Sequence, residues 1–244
     1  KGLVYADDHQ NAVFVRHGLQ GGGWQRGEMT GASLRGTWGE HNSYHRLVPG
    51  SVRELGWFRI GTGQGPVQRV LLTESPIDAM SLAVLDKERR QQGGVTVYLS
   101  TDGTGGVPVE ALKAVLQRNG QVVAAFDADK AGELMAWRVT TQVPGVKRLR
   151  PAYGKDWNER LVNHGQPEQV QQSELDRGQL QPLWQWHQMA WKQGRSEKYL
   201  TRIAEVATDV VKGKVLSEKA QAAMQKDLAD GQKQGKQCSE NRIA

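Results

Sequence analysis

The rhythm of apolar and polar positions changes near residue 66. From residue 67 onward, short apolar runs rich in β-branched residues alternate with stretches of helical period. The runs at 67–72, 95–99, 121–126 and 146–149 predict four strands. Helices are predicted between them, opening at Pro76, near 108–118 and at 130–141. Ser75 suits an N-cap and Pro76 a first turn, with Ile77, Met80, Ala83, Val84 and Leu85 as the apolar stripe. Strand–helix alternation of this kind predicts an α/β fold, a mostly parallel four-stranded sheet flanked by helices.

The chain before this region reads differently. Residues 3–5 and 12–16 flank a polar Asp-Asp-His-Gln-Asn turn, the pattern of a hairpin. Glycines punctuate the rest up to Gly56, so a small β-rich unit is expected, with Trp24, Trp38, Trp57 and Phe58 as its core. A glycine-rich linker is expected at 61–66. Beyond Gln166 the period turns helical, with Tyr199, Ile203, Val206, Ala207 and Val210 on one face. A polar helix over 217–233 and a disordered tail over 235–244 complete the expectation. Trp184, Trp186 and Trp191 favour packing between helices over base stacking. The predicted division is 1–64, an accessory β unit; 65–165, the main α/β domain; and 166–244, a helical extension.

Composition narrows this picture a little. No run approaches the roughly 18 apolar residues of a membrane span, so no membrane association is expected. The single cysteine, Cys238, rules out disulfides and cysteine-based zinc sites within the chain, which suits a cytoplasmic protein. The chain opens on Lys1 with no signal-peptide pattern, and is expected to be a segment of a longer polypeptide. A net charge of +6 and a pI near 9.5 favour polyanionic partners. Arg16, Arg26, Arg35, His41, His45, Arg46 and Arg53 are read either as a nucleic-acid-facing surface or as a solvated face. The spacing of His9, His17, His41 and His45 fits no zinc template.

The candidate chemistry sits in the turns after the strands. Glu74 follows the first strand, Asp127 and Asp129 the third, Asp156 and Glu159 the fourth. In an open parallel sheet the carboxyl ends of the strands border the ligand crevice. Asp127 and Asp129 are two positions apart, so they point the same way if extended geometry persists. Paired carboxylates suit a hard cation such as Mg²⁺. Asp129 equally suits the N-cap of the next helix. The glycine-rich turn after the second strand offers backbone N–H groups to a phosphate. Asp78, one helical turn past Glu74, is a further candidate, or simply a charge favoured by the helix N-terminus.

Read in order, Thr73-Glu74-Ser75-Pro76-Ile77-Asp78-Ala79, Ser100-Thr101-Asp102-Gly103-Thr104-Gly105, Phe126-Asp127-Ala128-Asp129-Lys130-Ala131-Gly132 and Gly154-Lys155-Asp156-Trp157-Asn158-Glu159 resemble the motifs of the Toprim domain. That domain is shared by bacterial-type DnaG primases, type IA and II topoisomerases and certain nucleases. The Lys-Asp-Trp-Asn ending and glycine-rich preface are most similar to primase-like proteins of plasmids and mobile elements. The resemblance implies a Toprim-like, Rossmann-like fold, with Glu74 as general acid or base. Asp127 and Asp129, and more loosely Asp156, would bind Mg²⁺ or Mn²⁺. Gly103, Gly105, Gly106 and Lys130 would contact nucleotide or phosphate, with Asp78 and Glu159 as further members. The implied activity is joining of ribonucleotides on single-stranded DNA. Nucleoside triphosphates, template and other replication or conjugation modules are the implied partners. The alternatives are a nuclease using the same acids, or a non-catalytic DNA-binding module. A topoisomerase is disfavoured, because none of the five tyrosines has the setting of a nucleophile.

Overall fold

The structure, a computed structural model, describes residues 2–21, 23–39, 43–87, 94–103, 105–166 and 177–240, with side chains through residue 231. An antiparallel sheet comes first: β1 (Val4–Ala6), β2 (Ala12–Leu19), β3 (Arg26–Arg35) and β4 (His45–Leu47), in that order. The predicted hairpin is β1–β2, with Val4 opposite Phe14. Val13, Phe14, Val15 and Ala32 are buried in this unit, whereas Trp38 is 65% exposed and supplies no core.

The second sheet has five strands in the order β5-β7-β6-β8-β9. The predicted parallel strands are β6 (Val67–Thr73), β7 (Val95–Ser100), β8 (Gln121–Ala124) and β9 (Lys147–Arg148). The fifth, β5 (Phe58–Thr62), lies antiparallel to β7 and takes in the first two residues of the expected linker. Trp57 and Phe58 therefore pack into the larger sheet. His17 and Trp57 exchange backbone hydrogen bonds of 3.2 and 3.1 Å, tying the two sheets together.

Side chains alternate between the two faces, as a pleated strand requires. Leu71, Tyr98 and Val123 face α1 (Pro76–Leu85) and α4 (Trp157–Val162), where Phe14 of the first sheet joins them. Val70, Leu72, Val97, Leu99, Val122 and Ala124 face the other way, over α2 (Val109–Gln117), α3 (Lys130–Gln142) and the C-terminal helices. On α1 the buried apolar positions are Ala79, Leu82 and Ala83, and Val84 of the predicted stripe is 59% exposed. The helix presses on the sheet and α4 at once, so its buried face is rotated from the one read in sequence.

Three helices follow: α5 (Arg177–Lys192), α6 (Glu197–Val211) and α7 (Glu218–Glu240). Trp184 and Trp186 are buried, and Trp184 stacks on Trp137 at 3.7 Å, so these two pack helices. Asp227 holds α7 down by accepting from Trp186 Nε1, Tyr199 Oη and Arg195 Nη2 at 2.8 to 2.9 Å. The helix continues to Glu240, through the first part of the stretch expected to be disordered; 241–244 lie outside the described residues, as does His41. Among the described residues, no helix is long and apolar enough to cross a membrane.

Candidate metal centre

Each acidic candidate is set by the local chemistry of a strand end. β6 stops at Thr73, whose hydroxyl donates to Ser75 and Leu99 carbonyls, and Glu74 follows half-buried. Ser75 caps α1 by accepting from Asp78 N at 3.2 Å, and its hydroxyl donates to Asp78 Oδ2 at 2.5 Å. Asp78 Oδ1 accepts from Trp157 N and Asn158 N at 3.2 and 3.3 Å. Asp78 is thus a clamp between α1 and the first turn of α4. Asp129 caps α3 through Gly132 N at 2.8 Å, and Asp156 caps α4 through Glu159 N at 2.7 Å. Glu159 Oε2 answers by accepting from Lys155 N at 2.6 Å, a reciprocal arrangement that fixes the loop end.

Asp127 differs from all of these. It is 6% exposed, and its Oδ1 is buried with no hydrogen-bond partner. Burial first, then the charges of Asp78, Glu74, Asp156 and Asp129, push its carboxyl up to about 8. Glu74 is also raised, by burial, Asp129 and Asp78, against the opposing pull of Lys155 and Arg35. The structure therefore brings Glu74, Asp78, Asp127, Asp129 and Asp156 within one another's fields. Lys155 pairs with one of them, its Nζ 3.2 Å from Asp129 Oδ2; Lys130 is exposed at the start of α3.

A divalent cation fits this donor set in part. Asp127 offers a desolvated, unpartnered oxygen, and hard carboxylate oxygens suit Mg²⁺ or Mn²⁺. A carboxylate this reluctant to ionise gains most from a dication beside it. Yet among the described residues no three acidic or histidine side chains converge closely enough to hold a metal. Asp129 and Asp156 each spend an oxygen on a helix cap. Gly132 is needed here, because a Cβ would come within 2.4 Å of the Asp127 carbonyl.

The glycine turn is more engaged than its sequence suggests. Gly103 N donates to the Glu74 carbonyl at 3.0 Å, so that N–H is spent on holding Glu74. Gly106 O accepts from Trp57 Nε1 at 2.6 Å, and a Cβ on Gly105 would meet the Thr101 carbonyl at 2.2 Å. Thr104 lies outside the described residues.

Sequence reasoning missed two arginines. Arg148 donates to the carbonyls of Ala124, Phe126, Asp127 and Leu149 at 2.6 to 3.1 Å, bracing the strand end that carries Asp127. Arg16, read as a surface residue, is fully buried; Arg26, Arg46, Arg53 and His45 are the exposed members of that group. Arg16 Nη1 donates to Asp102 at 2.8 Å, and Nη2 to the Arg53 and Gly56 carbonyls. It anchors the glycine turn to β2, holding Asp102 in a left-handed conformation (φ 55°). Replacing Arg16 with methionine leaves Asp102 and two carbonyls unpaired, at a cost of about 3 kcal/mol. Thermal melting reads the loss, and amide exchange at Gly103 should accelerate; an unchanged exchange rate there counts against the anchor.

Taken together, this is an α/β domain with an acidic cluster at the carboxyl edge of a mostly parallel sheet. Residues 71–161 match the Toprim-like family, so the chain carries a Toprim-like domain. Residues 1–65 match a family described as a protein of unknown function, DUF3991. No curated protein matches. Solved structures similar to this chain include these two. One is a structure of the bacteriophage T7 lagging-strand DNA polymerase interacting with primase domains bound to an RNA/DNA hybrid and dTTP. The identity is 19% over 68% of this chain and 80% of that one, with a TM-score of 0.39. The other is the primase fragment of the bacteriophage T7 primase-helicase, at 16% identity over 68% of this chain and 64% of that one, with a TM-score of 0.41.

Proposed function

We propose that this chain is a primase-like nucleotidyltransferase, joining ribonucleotides on single-stranded DNA in plasmid or mobile-element replication. The observation that carries the reading is the meeting of Glu74 with Asp127 and Asp129 on one sheet edge, around a buried, unpartnered Asp127 oxygen. Asp127 would hold Mg²⁺ or Mn²⁺, with Asp129 joining once Lys155 turns aside and Asp156 at the edge of the site. The bound ion supplies Lewis-acid polarisation of a phosphoryl oxygen. Glu74, with a raised proton affinity, takes the proton from an attacking hydroxyl or returns one to a leaving oxygen. Arg35, which acts on Glu74 from β3, and Lys155 face a polyphosphate with positive charge.

Template-directed extension is the test. The protein is incubated with single-stranded DNA, labelled ribonucleotides and Mg²⁺, and products are sized. Extension is expected, falling about 100-fold or more in Glu74→Gln. Shortening of labelled DNA instead supports the nuclease reading. The reading as a non-catalytic DNA-binding module prevails if neither reaction occurs while DNA is retained.

A further inference from the structure

The largest cavity described lies away from the carboxylates. About 660 Å³ in volume, it opens between β5, α2 and the turn that joins β2 to β3. Its walls reach Val67 and Val95, at the amino ends of β6 and β7, whereas Glu74 follows the carboxyl end of β6. A volume of this size is in the range of small-molecule sites.

Its lining has two halves. One is apolar, formed by Trp24, Ile60, Val97, Ala111 and Ala114. The other is cationic, with Arg26, Arg59 and Arg118 and the imidazole of His17. No aspartate or glutamate is among the described residues that line it. Arg59 is half-buried, and among the described residues it donates only to neutral carbonyls, those of His17, Gly18 and Gln25, at 2.9 to 3.1 Å. Burial, then the neighbouring Arg26 charge, brings it down to about 10, so it remains charged at neutral pH. Burial first, then the Arg26 and Arg59 charges, holds His17 below its usual range. A desolvated cation with no anion beside it is costly, and a ligand phosphate relieves that cost.

We propose that this cleft is a nucleotide-binding site separate from the acidic cluster, taking an aromatic base against the apolar wall and its phosphates on Arg26, Arg59 and Arg118. Arginine is suited to that task, because its planar fork matches phosphate oxygens in pairs. The charge of the lining selects an anion, and its apolar half, which includes the Trp24 indole, selects a ring over a bare polyphosphate.

The test is calorimetric titration of the whole chain with ATP in excess EDTA, where the acidic cluster has no cation to offer a phosphate. One site is expected, retained in Asp127→Asn. In the double variant Arg26→Glu/Arg118→Glu, binding should weaken at least tenfold; both side chains are exposed, so an unchanged thermal melt is expected. Should that variant misfold, Ala114→Trp fills the cleft from α2 and should likewise abolish binding. Adenosine and tripolyphosphate should each bind at least tenfold more weakly than ATP. The inference fails if ATP does not bind at millimolar concentration, if the variants bind as the parent does, or if tripolyphosphate binds as tightly as ATP. None of these outcomes depends on primer synthesis, so this reading and the catalytic one fail separately.

Discussion

Glu133→Gln should be among the most destabilising single substitutions in this chain, lowering the melting temperature by roughly 10 °C. Glu133 is fully buried in α3 and accepts from four donors. Arg148 Nε and Arg150 Nε reach Oε2 at 3.0 Å, while Arg150 Nη2 and Trp184 Nε1 reach Oε1 at 2.7 and 2.6 Å. Burial raises its proton affinity, but the two guanidiniums and these hydrogen bonds outweigh that, leaving the carboxyl below its ordinary 4.5. Its stabilisation is therefore fully present above pH 4.5 and lost as pH falls through the lower folded value. Glutamine keeps the shape and removes the charge. It leaves Arg148 and Arg150, with side chains 2% and 11% exposed, without an anion. Breaking a buried pair on one side costs about 3 to 5 kcal/mol. Because the network is dry, added salt should barely change the difference, unlike a surface pair. A melting temperature within 2 °C of the parent would show that the arginines find water or another partner.

The same substitution bears on the site. Arg148 is held by Glu133 and itself holds four carbonyls around the end of β8. Without its anion the guanidinium reorients, and the turn from Phe126 to Asp129 loosens. Divalent-cation affinity should fall in Glu133→Gln even at temperatures where the variant is folded.

The contrast between these residues and the readily found ones explains what the sequence discloses. The strand-to-turn transitions at Thr73 and Phe126 are legible because each pairs a run of apolar, partly β-branched residues with an immediate helix start, and both signals are local. The gathering of Glu74, Asp127 and Asp129 followed from topology, since parallel strands place their carboxyl ends on one edge. Arg16 and Glu133 were invisible for the opposite reason. Arg16 pairs with Asp102, 86 residues away, and Glu133 with Arg148, Arg150 and Trp184, 15, 17 and 51 residues away, and nothing in local spacing announces a buried charge. Gly61 and Gly63 read locally as a linker, so the pattern assigns β5 to the accessory unit, although its pairing with β7 decides its place. Asp78 and Glu159 are also candidates for the acidic site; their oxygens accept from backbone N–H groups at the start of α4, a role that sequence pattern shares with ligation, while the Asp78 charge still bears on Asp127.

Asp127→Asn should do opposite things to stability and to chemistry, with pH deciding the size of the first effect. In the folded chain the Asp127 carboxyl is pushed up to about 8, by burial foremost, from an ordinary 3.8. Between those values the native state holds a proton that the unfolded chain has released. The stability tied to that proton is fully present below pH 3.8, declines as pH rises, and is gone above about pH 8. Asparagine cannot ionise, so the variant escapes this decline. It should be more stable than the metal-free parent, by about 2 to 4 kcal/mol at pH 8, with the gap closing toward pH 4. A dication reverses the comparison, because it takes the proton's place at Asp127. In the parent, Mg²⁺ or Mn²⁺ should bind with release of about one proton, and affinity should rise roughly tenfold per pH unit from pH 6 to 8. In Asp127→Asn that binding and the proposed activity should both disappear. Melting curves of parent and variant from pH 5 to 9, in EDTA and in millimolar Mn²⁺, distinguish these effects. Parallel curves in EDTA would mean that Asp127 ionises freely, and the buried acidic site would lose its physical basis.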